Sequence, residues 1–384
     1  MLSAVFRASR RRVWHTVAHV AHRDIALALG LLPLLLVGLA SLLTFVLGPS
    51  TSTRAVHSVA PPPLHSPWKG VRFGGTWVRT RLTLQTNVLL VDPHRTHLLW
   101  AGTAQGVWLS PDGGATWQRA GRGLDGHAIL ALTVMPASRT IVAGGDNGAV
   151  YVGPARRGRG WRWQRISPLL GSDHPIFSLA VAPAGGGGTM LAGTFGAVYR
   201  GVHMGSGWRW RAVAHTGDAA ITSIIWAPWD VHRAYASVFG TRPPVLVSDD
   251  DGRTWHPDSS GLPSTLPTQA LLALATGARQ IVLSTMGDGV WLRSATGRWR
   301  DISAGLPARH AMPLVAAPES TEMLYAGTMG FGVYARQGAG PWRRLGSGLN
   351  GGAYTVLALA MTAGSQPTLL AGTALGLFRY APPA

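Results

Sequence analysis

Residues 99–119 read LWAGTAQGVWLSPDGGATWQR. Leu99–Thr103 is a short apolar run closed by Ala-Gly-Thr, and Gly106–Ser110 is a second run that carries an indole. A polar glycine turn separates them, and the Ser-Pro-Asp-Gly-Gly turn leads on to Trp117-Gln118-Arg119. Short apolar-aromatic runs between Gly- and Asp-rich turns mark successive antiparallel strands.

The same order of features recurs on both sides of this stretch. The second run of each unit ends at Ala101-Gly102-Thr103, Ala143-Gly144-Gly145, Ala192-Gly193-Thr194, Ala236-Ser237-Val238, Leu283-Ser284-Thr285, Ala326-Gly327-Thr328 and Ala371-Gly372-Thr373, at intervals of 42 to 49 residues. Trp77, Trp117, Trp163, Trp210, Trp255, Trp299 and Trp342 give an independent series with a similar interval. A period of about 40 to 45 residues with four short strands per unit marks a β-propeller. The expectation is therefore an all-β, seven-bladed β-propeller over residues 71–384. The two series are offset: Trp77 has no earlier strands to join, and the last unit, ending Leu377-Phe378-Arg379-Tyr380, has no Trp strand of its own. Residues 76–82 are thus expected to supply the outer strand of the final blade, which removes two unpaired edges.

Two units carry the same octet. Ser110, Asp112, Gly114, Thr116 and Trp117 stand in SPDGGATW; Ser248, Asp250, Gly252, Thr254 and Trp255 stand in SDDDGRTW. Asp and Ser can bond turn backbone, Gly supplies positive φ and Trp packs beneath. These residues resemble the Asp-box (BNR) repeat of sialidases, sortilin ectodomains, xyloglucanase-type glycoside hydrolases and photosystem II assembly factors. The other units keep Gly and Trp but lack the Asp, as in GRGWRW and GAGPW. The resemblance implies a fold, with Asp boxes in structural roles on the face opposite the binding site.

The N-terminal part has a different composition. Residues 1–24 hold Arg7, Arg10, Arg11, Arg12 and Arg23 against Asp24, and Ile25–Leu47 contains no charged residue. A helix of that length reaches about 34 Å, enough for a hydrocarbon core of about 30 Å. Residues 25–47 are accordingly expected to form one transmembrane helix, a signal anchor with the basic tail in the cytoplasm by the positive-inside rule. A cleaved signal peptide is the alternative, with a shorter apolar region. Residues 48–70, which include Pro61-Pro62-Pro63, have the composition of an extended spacer. The propeller is expected on the extracytoplasmic side of the cell membrane.

The whole chain of 384 residues has a formal charge of +18 and no Cys, which excludes disulfides and thiolate-ligated metal. Of its basic residues 33 are Arg, with Lys69 the lone lysine, and residues 71–384 hold 27 Arg against 15 acids. Arg79, Arg119, Arg165, Arg300 and Arg343 follow the outer Trp residues and are expected on the blade rim. A basic rim suits anionic lipid, an acidic polysaccharide or an acidic protein surface, with a protein or acidic glycan partner expected, and the extracytoplasmic position argues against nucleic acid.

No phosphate loop, His-Glu-x-x-His motif or Gly-x-Ser-x-Gly elbow is present. The two glutamates, Glu319 and Glu322, fall in one predicted turn on the Asp-box side, away from a sialidase-type pocket. No catalytic residue, metal site or cofactor is expected. Ligand contacts are expected from loops entering first strands and joining second to third strands, which hold Asp125, His127, Asp146, Asp173, His174, Asp218, Arg242, Asp288, Arg309, His310 and Tyr354. The expected function is a noncatalytic protein-binding or assembly scaffold. The alternative is a cell-surface glycan-binding protein or glycoside hydrolase, sialidase-like or xyloglucanase-like.

Overall fold

The computed structural model describes residues 72–383, apart from 125, 154–161, 172–173, 184–187, 206, 241–242, 275–278, 319 and 364–366. The described residues form six antiparallel sheets. One contains β2 (Thr86–Val91), β3 (Leu99–Thr103), β4 (Gly106–Ser110) and β5 (Gln118–Arg119). The next contains β6 (Ile129–Val134), β7 (Ile141–Gly145), β8 (Val150–Val152) and β9 (Gln164–Arg165). Two more follow the same plan: β17 (Thr268–Ala273), β18 (Ile281–Thr285), β19 (Val290–Arg293), β20 (Trp299–Asp301); and β21 (Leu314–Ala317), β22 (Ser320–Gly327), β23 (Val333–Gln337), β24 (Arg343–Arg344). The fifth blade combines β25 (Val356–Met361), β26 (Leu369–Thr373) and β27 (Gly376–Ala381) with β1 (Thr76–Arg79) from the other end of the domain.

The remaining sheet has seven strands: β10 (Ser178–Val181), β11 (Thr189–Gly193), β12 (Phe195–Met204), β13 (Gly207–Trp226), β14 (Ala234–Val238), β15 (Val245–Ser248) and β16 (His256–Pro257). It corrects the expectation of seven separate blades. Five four-stranded blades form, and the stretch expected to give two more is one sheet, because β13 pairs first with β12 and then with β14. Thr216-Gly217-Asp218 has the composition of a turn, yet it is absorbed as an irregularity between the Phe195–Ala220 and Ala197–His215 pairs. The backbones are close there: a Cβ on Gly196, whose φ is +76°, would lie 2.6 Å from the Gly217 carbonyl oxygen.

The expected transmembrane helix is also not supported. Among the described residues no helix is long and apolar enough to cross a membrane, and residues 25–47 lie outside the described residues. The tail and spacer assigned to 1–24 and 48–70 lie outside them as well. Glu322 falls within β22 rather than in a turn.

The inner strands β2, β6, β10, β13, β17, β21 and β25 follow one another around an axis, and β25 meets β2 to complete the circle. The Ala-Gly-Thr marker is explained by this packing. A Cβ on Gly144, Gly193 or Gly327 would come within 2.7 Å of Ile176, Ile221 or Val356 on the next inner segment, so only glycine allows the approach. The Thr hydroxyls tie the following turn: Thr103, Thr328 and Thr373 donate to the carbonyls of Gly106, Gly332 and Gly376 at 2.7 to 2.9 Å.

The outer Trp residues form a second set of seams. The indole N–H of Trp77 donates to Leu345 O (2.8 Å), Trp163 to Ala120 O (2.6 Å), Trp210 to Ile166 O (3.0 Å), Trp299 to Asp258 O (2.9 Å) and Trp342 to Ile302 O (2.8 Å). Each acceptor lies three residues past the preceding Trp of the series. In four of these seams the Trp backbone N–H adds a bond two residues further on, to Ser347, Arg122, Ser260 and Ala304. Where β1 meets β27, Trp77 packs edge-on against Tyr380. The Tyr380 hydroxyl donates to Arg72 O (2.6 Å) and accepts from Gly75 N (2.8 Å).

Candidate functional site: the axial channel and its mouth

Five inner strands carry a register irregularity near the end that pairs with the Ala-Gly-Thr side. In β2 it leaves Asn87 unmatched between the Thr86–Thr103 and Val88–Gly102 pairs; Leu130, Thr222 and Leu357 stand at the same place in β6, β13 and β25. Such bulges re-aim a side chain out of the pleat. Here the bulged residues, with Phe177, Gln269 and Met312, line an axial channel of about 290 Å³. None of its lining residues is ionisable. Several of the polar ones are held by local bonds: Asn87 donates to Ile129 O (3.2 Å) and Thr222 to Thr268 O (3.2 Å).

The loops around this mouth bring the expected site residues together in separate small groups. His127 Nδ1 lies 3.2 Å from Asp146 Oδ1, while Asp146 Oδ2 accepts from Ala128 N (3.1 Å) and Asn147 links the His ring to the Tyr151 hydroxyl. Arg309 donates to Asp288 O (3.0 Å) and to Asp301 Oδ2 (2.7 Å). Burial raises the Asp301 pKa, but bonds from Ser303 and Arg309 outweigh that and hold it below the ordinary value. Ala308 and Arg309 both have positive φ (47° and 53°), kept by two backbone N–H groups, from Gly287 and Gly289, on Arg309 O. His310 follows, its Nδ1 buried with no hydrogen-bond partner among the described residues and its pKa lowered by burial. His174 meets Phe195 edge-on, and Tyr354 lies under the Arg344 guanidinium (5.2 Å). Beside Tyr354 the side chains of Phe331 and Leu375 are 40% and 42% exposed.

Asp218, expected in a loop, lies within β13. Asp125, Asp173 and Arg242 lie outside the described residues. No group of three metal-ligating side chains occurs among the described residues.

The Asp turns lie at the other end of the strands. Gly113 N bonds His97 O (2.7 Å) and Asp251 N bonds His232 O (3.0 Å), which joins each turn to the loop between first and second strands. Ser110 donates to Asp112 Oδ1 (2.8 Å) and accepts from Gly114 N (2.8 Å), and Thr116 donates to Asp112 through both its N–H and hydroxyl. Ser248, Asp250, Gly252 and Thr254 repeat this set. Burial raises the Asp250 pKa, but the Thr254, Ser248 and Arg253 donors prevail and bring it to about 2; Asp112 is lowered in the same way.

No protein-family profile and no curated protein matches this sequence. Solved structures do. The GH74 xyloglucanase from Xanthomonas campestris superposes with a TM-score of 0.61 at 21% identity, over 79% of this chain and 53% of that one. YCF48 from Cyanidioschyzon merolae gives 0.56 at 16% identity, over 80% and 99%. An ancestral GH74 enzyme gives 0.63 at 15% identity, over 84% and 46%. The likeness is one of fold. It is a β-propeller fold, and the chain spans about half the length of the GH74 enzymes.

The bulged ring was missed in the sequence. Aligning the seven units places Asn87, Leu130, Phe177, Thr222, Gln269, Met312 and Leu357 in one column. Each follows a short apolar or Thr residue and precedes the inner run.

Proposed function

We propose that the chain is a noncatalytic binding scaffold, presenting its channel mouth to a protein partner. The observation that carries this reading is the mouth itself, where neutral Asn87, Thr222 and Gln269 share a ring with Leu130, Phe177, Met312 and Leu357, while Phe331 and Leu375 are exposed on the loops joining second to third strands in two blades. Apolar centres with neutral hydrogen-bonding groups are the usual make-up of a protein interface core. The neighbouring carboxylates serve their own loops: Asp146 holds Ala128 N and Asp301 holds Ser303 and Arg309. A glycosidase needs two carboxyl groups facing each other across a pocket. The paired Ser-x-Asp-x-Gly-x-Thr turns support the Asp-box reading, and the YCF48 likeness supports the scaffold class. The GH74 likeness keeps glycoside hydrolysis as the competing reading.

The full chain incubated with xyloglucan, mixed β-glucan and sialosides is expected to release no sugar. A protein complex recovered with the wild-type chain is expected to be lost with Phe331→Ser/Leu375→Ser while the melting temperature is kept. Turnover abolished by Asp146→Asn would overturn the reading.

A further inference from the structure

The outer strands repeat one feature, an arginine one or two residues after the outer Trp. Arg79 in β1, Arg119 in β5, Arg165 in β9, Arg211 in the part of β13 that pairs only with β12, Arg300 in β20 and Arg343 in β24 are all exposed. In five of these six strands the neighbouring Trp is turned inward, toward the seams, while Trp117 beside β5 bonds its own turn. Carboxylates are engaged elsewhere: Asp92 with Arg95, Asp249 with Arg233, Asp251 with Arg253, Asp258 with Arg293 and Asp301 with Arg309. Among the described residues no carboxylate pairs with Arg165, Arg211, Arg300 or Arg343.

Because the inner strands circle the axis, these edge strands point outward in different directions. A planar membrane can meet only one sector of such a circumference. A flexible linear polyanion can follow it. Proteins that bind single-stranded nucleic acid combine a basic groove with exposed aromatic rings on which successive bases stack. At this rim Trp77, Trp163, Trp299 and Trp342 are buried, so stacking platforms are lacking on those strands. Guanidinium forks pair bidentately with carboxylate and phosphate, and sulfate presents the same paired oxygens.

We propose that the outer rim is a belt for an acidic polysaccharide, bearing carboxylate or sulfate groups and held by Arg165, Arg211, Arg300 and Arg343. This site is independent of the channel mouth. Exposed charges also protect open sheet edges from pairing with other chains. That role alone predicts aggregation, and no change in polyanion affinity, when the arginines are removed.

The test is binding of the full chain to heparin and polygalacturonate across a salt series. The expected result is a linear fall of log affinity with log salt, with Arg165→Gln/Arg211→Gln/Arg300→Gln weakening binding roughly tenfold. The slope should drop by about one per arginine removed. A charge-matched control, Arg139→Gln/Arg253→Gln/Arg279→Gln, removes arginines from the loops and turn at the Asp-turn end of the strands and should stay within about twofold of wild type. The three single rim variants, each expected to lower the slope by about one, serve if the triple variant fails to fold. Equal losses in both triple variants overturn the belt, since net charge alone would then explain binding. So does an unchanged rim variant. Tighter binding of oligo-dT or of phosphatidylglycerol vesicles than of either polysaccharide, at equal anion concentration, overturns the assigned ligand class.

Discussion

Between the β17–β20 and β21–β24 blades the indole of Trp342 crosses to Ile302 O and its backbone N–H to Ala304 O. Between the β25–β27–β1 blade and β2–β5 no indole crosses: Trp117 donates to Gly114 O of its own turn (3.1 Å). The β14–β16 region is similar, since Trp255 Nε1 is buried without a partner among the described residues. These two indoles belong to the two intact Asp turns. Each turn approaches the preceding unit itself, Gly114 lying near Leu370 of the previous blade and Gly252 against Leu191 of β11, in the first half of its own seven-stranded sheet. Arg200 of β12, buried, adds a bond from its Nε to Asp251 O (2.8 Å). The repeat therefore joins its sheets in two ways: an indole hook, or an ordered Asp turn pressed into the neighbour. The difference teaches why an Asp turn can decay in most units without loss of the ring, provided the hook takes over.

The hook depends on a glycine. Gly305, φ +92°, would place a Cβ 2.3 Å from Trp342 O, whereas a Cβ on Gly114, φ +96°, would meet nothing nearer than 3.5 Å. Gly305→Ala is expected to cost upwards of about 3 kcal/mol, and Gly114→Ala about 1 to 2 kcal/mol from backbone strain alone. Urea unfolding measures both, and equal costs would remove the distinction between the seams. Trp299→Phe, which deletes a bond crossing a seam and some buried area, should cost about 1 to 2 kcal/mol. Trp117→Phe, half-buried and bonded only within its own turn, should cost less than about 1 kcal/mol. Asp250→Asn is expected to cost about 1 kcal/mol by weakening bonds from Ser248, Arg253 and Thr254. The smallest effect concerns pH. The Asp250 pKa is about 2 in the folded chain against 3.8 ordinarily, so its contribution is complete above about pH 4 and fades as pH falls toward 2. Across that interval wild type should lose more stability than Asp250→Asn, by less than about 1 kcal/mol given the solvent exposure. Acid titration of thermal unfolding measures it, and parallel curves would show that Asp250 does not carry the turn.

Much of this was legible in the sequence. The offset between the Ala-Gly-Thr and Trp series already places β1 beside β27, because a strand without a sheet and a sheet without an outer strand can satisfy each other. The division of the Trp residues was legible but unnoticed. Gly-Leu recurs at Gly123-Leu124, Gly261-Leu262, Gly305-Leu306 and Gly348-Leu349, six residues past the preceding Trp, and only where the next Trp makes both hook bonds. The unbroken β13 was not legible. Thr216-Gly217-Asp218 has turn composition, and its absorption into the strand depends on Gly196 lying opposite, a long-range pairing that local propensity does not encode. For the site, loop composition brought out His127 with Asp146 and Asp288 with Arg309 but overlooked the channel ring, whose members share a register position rather than a residue type.

The pairing of Thr76 with Ala381 sets the two ends of the propeller side by side. The domain is thus nearly a cyclic polypeptide, lacking only a short covalent link between residues near Arg72 and Pro382. A permutant joined there and opened at the exposed Gly338 turn would keep every strand neighbour and move the noncovalent closure to the β23–β24 pair. The same antiparallel register sets the mechanical behaviour. Tension applied across residues 72 and 383 meets the Thr76–Ala381 end first, so β1 would peel away one rung at a time instead of shearing as a block.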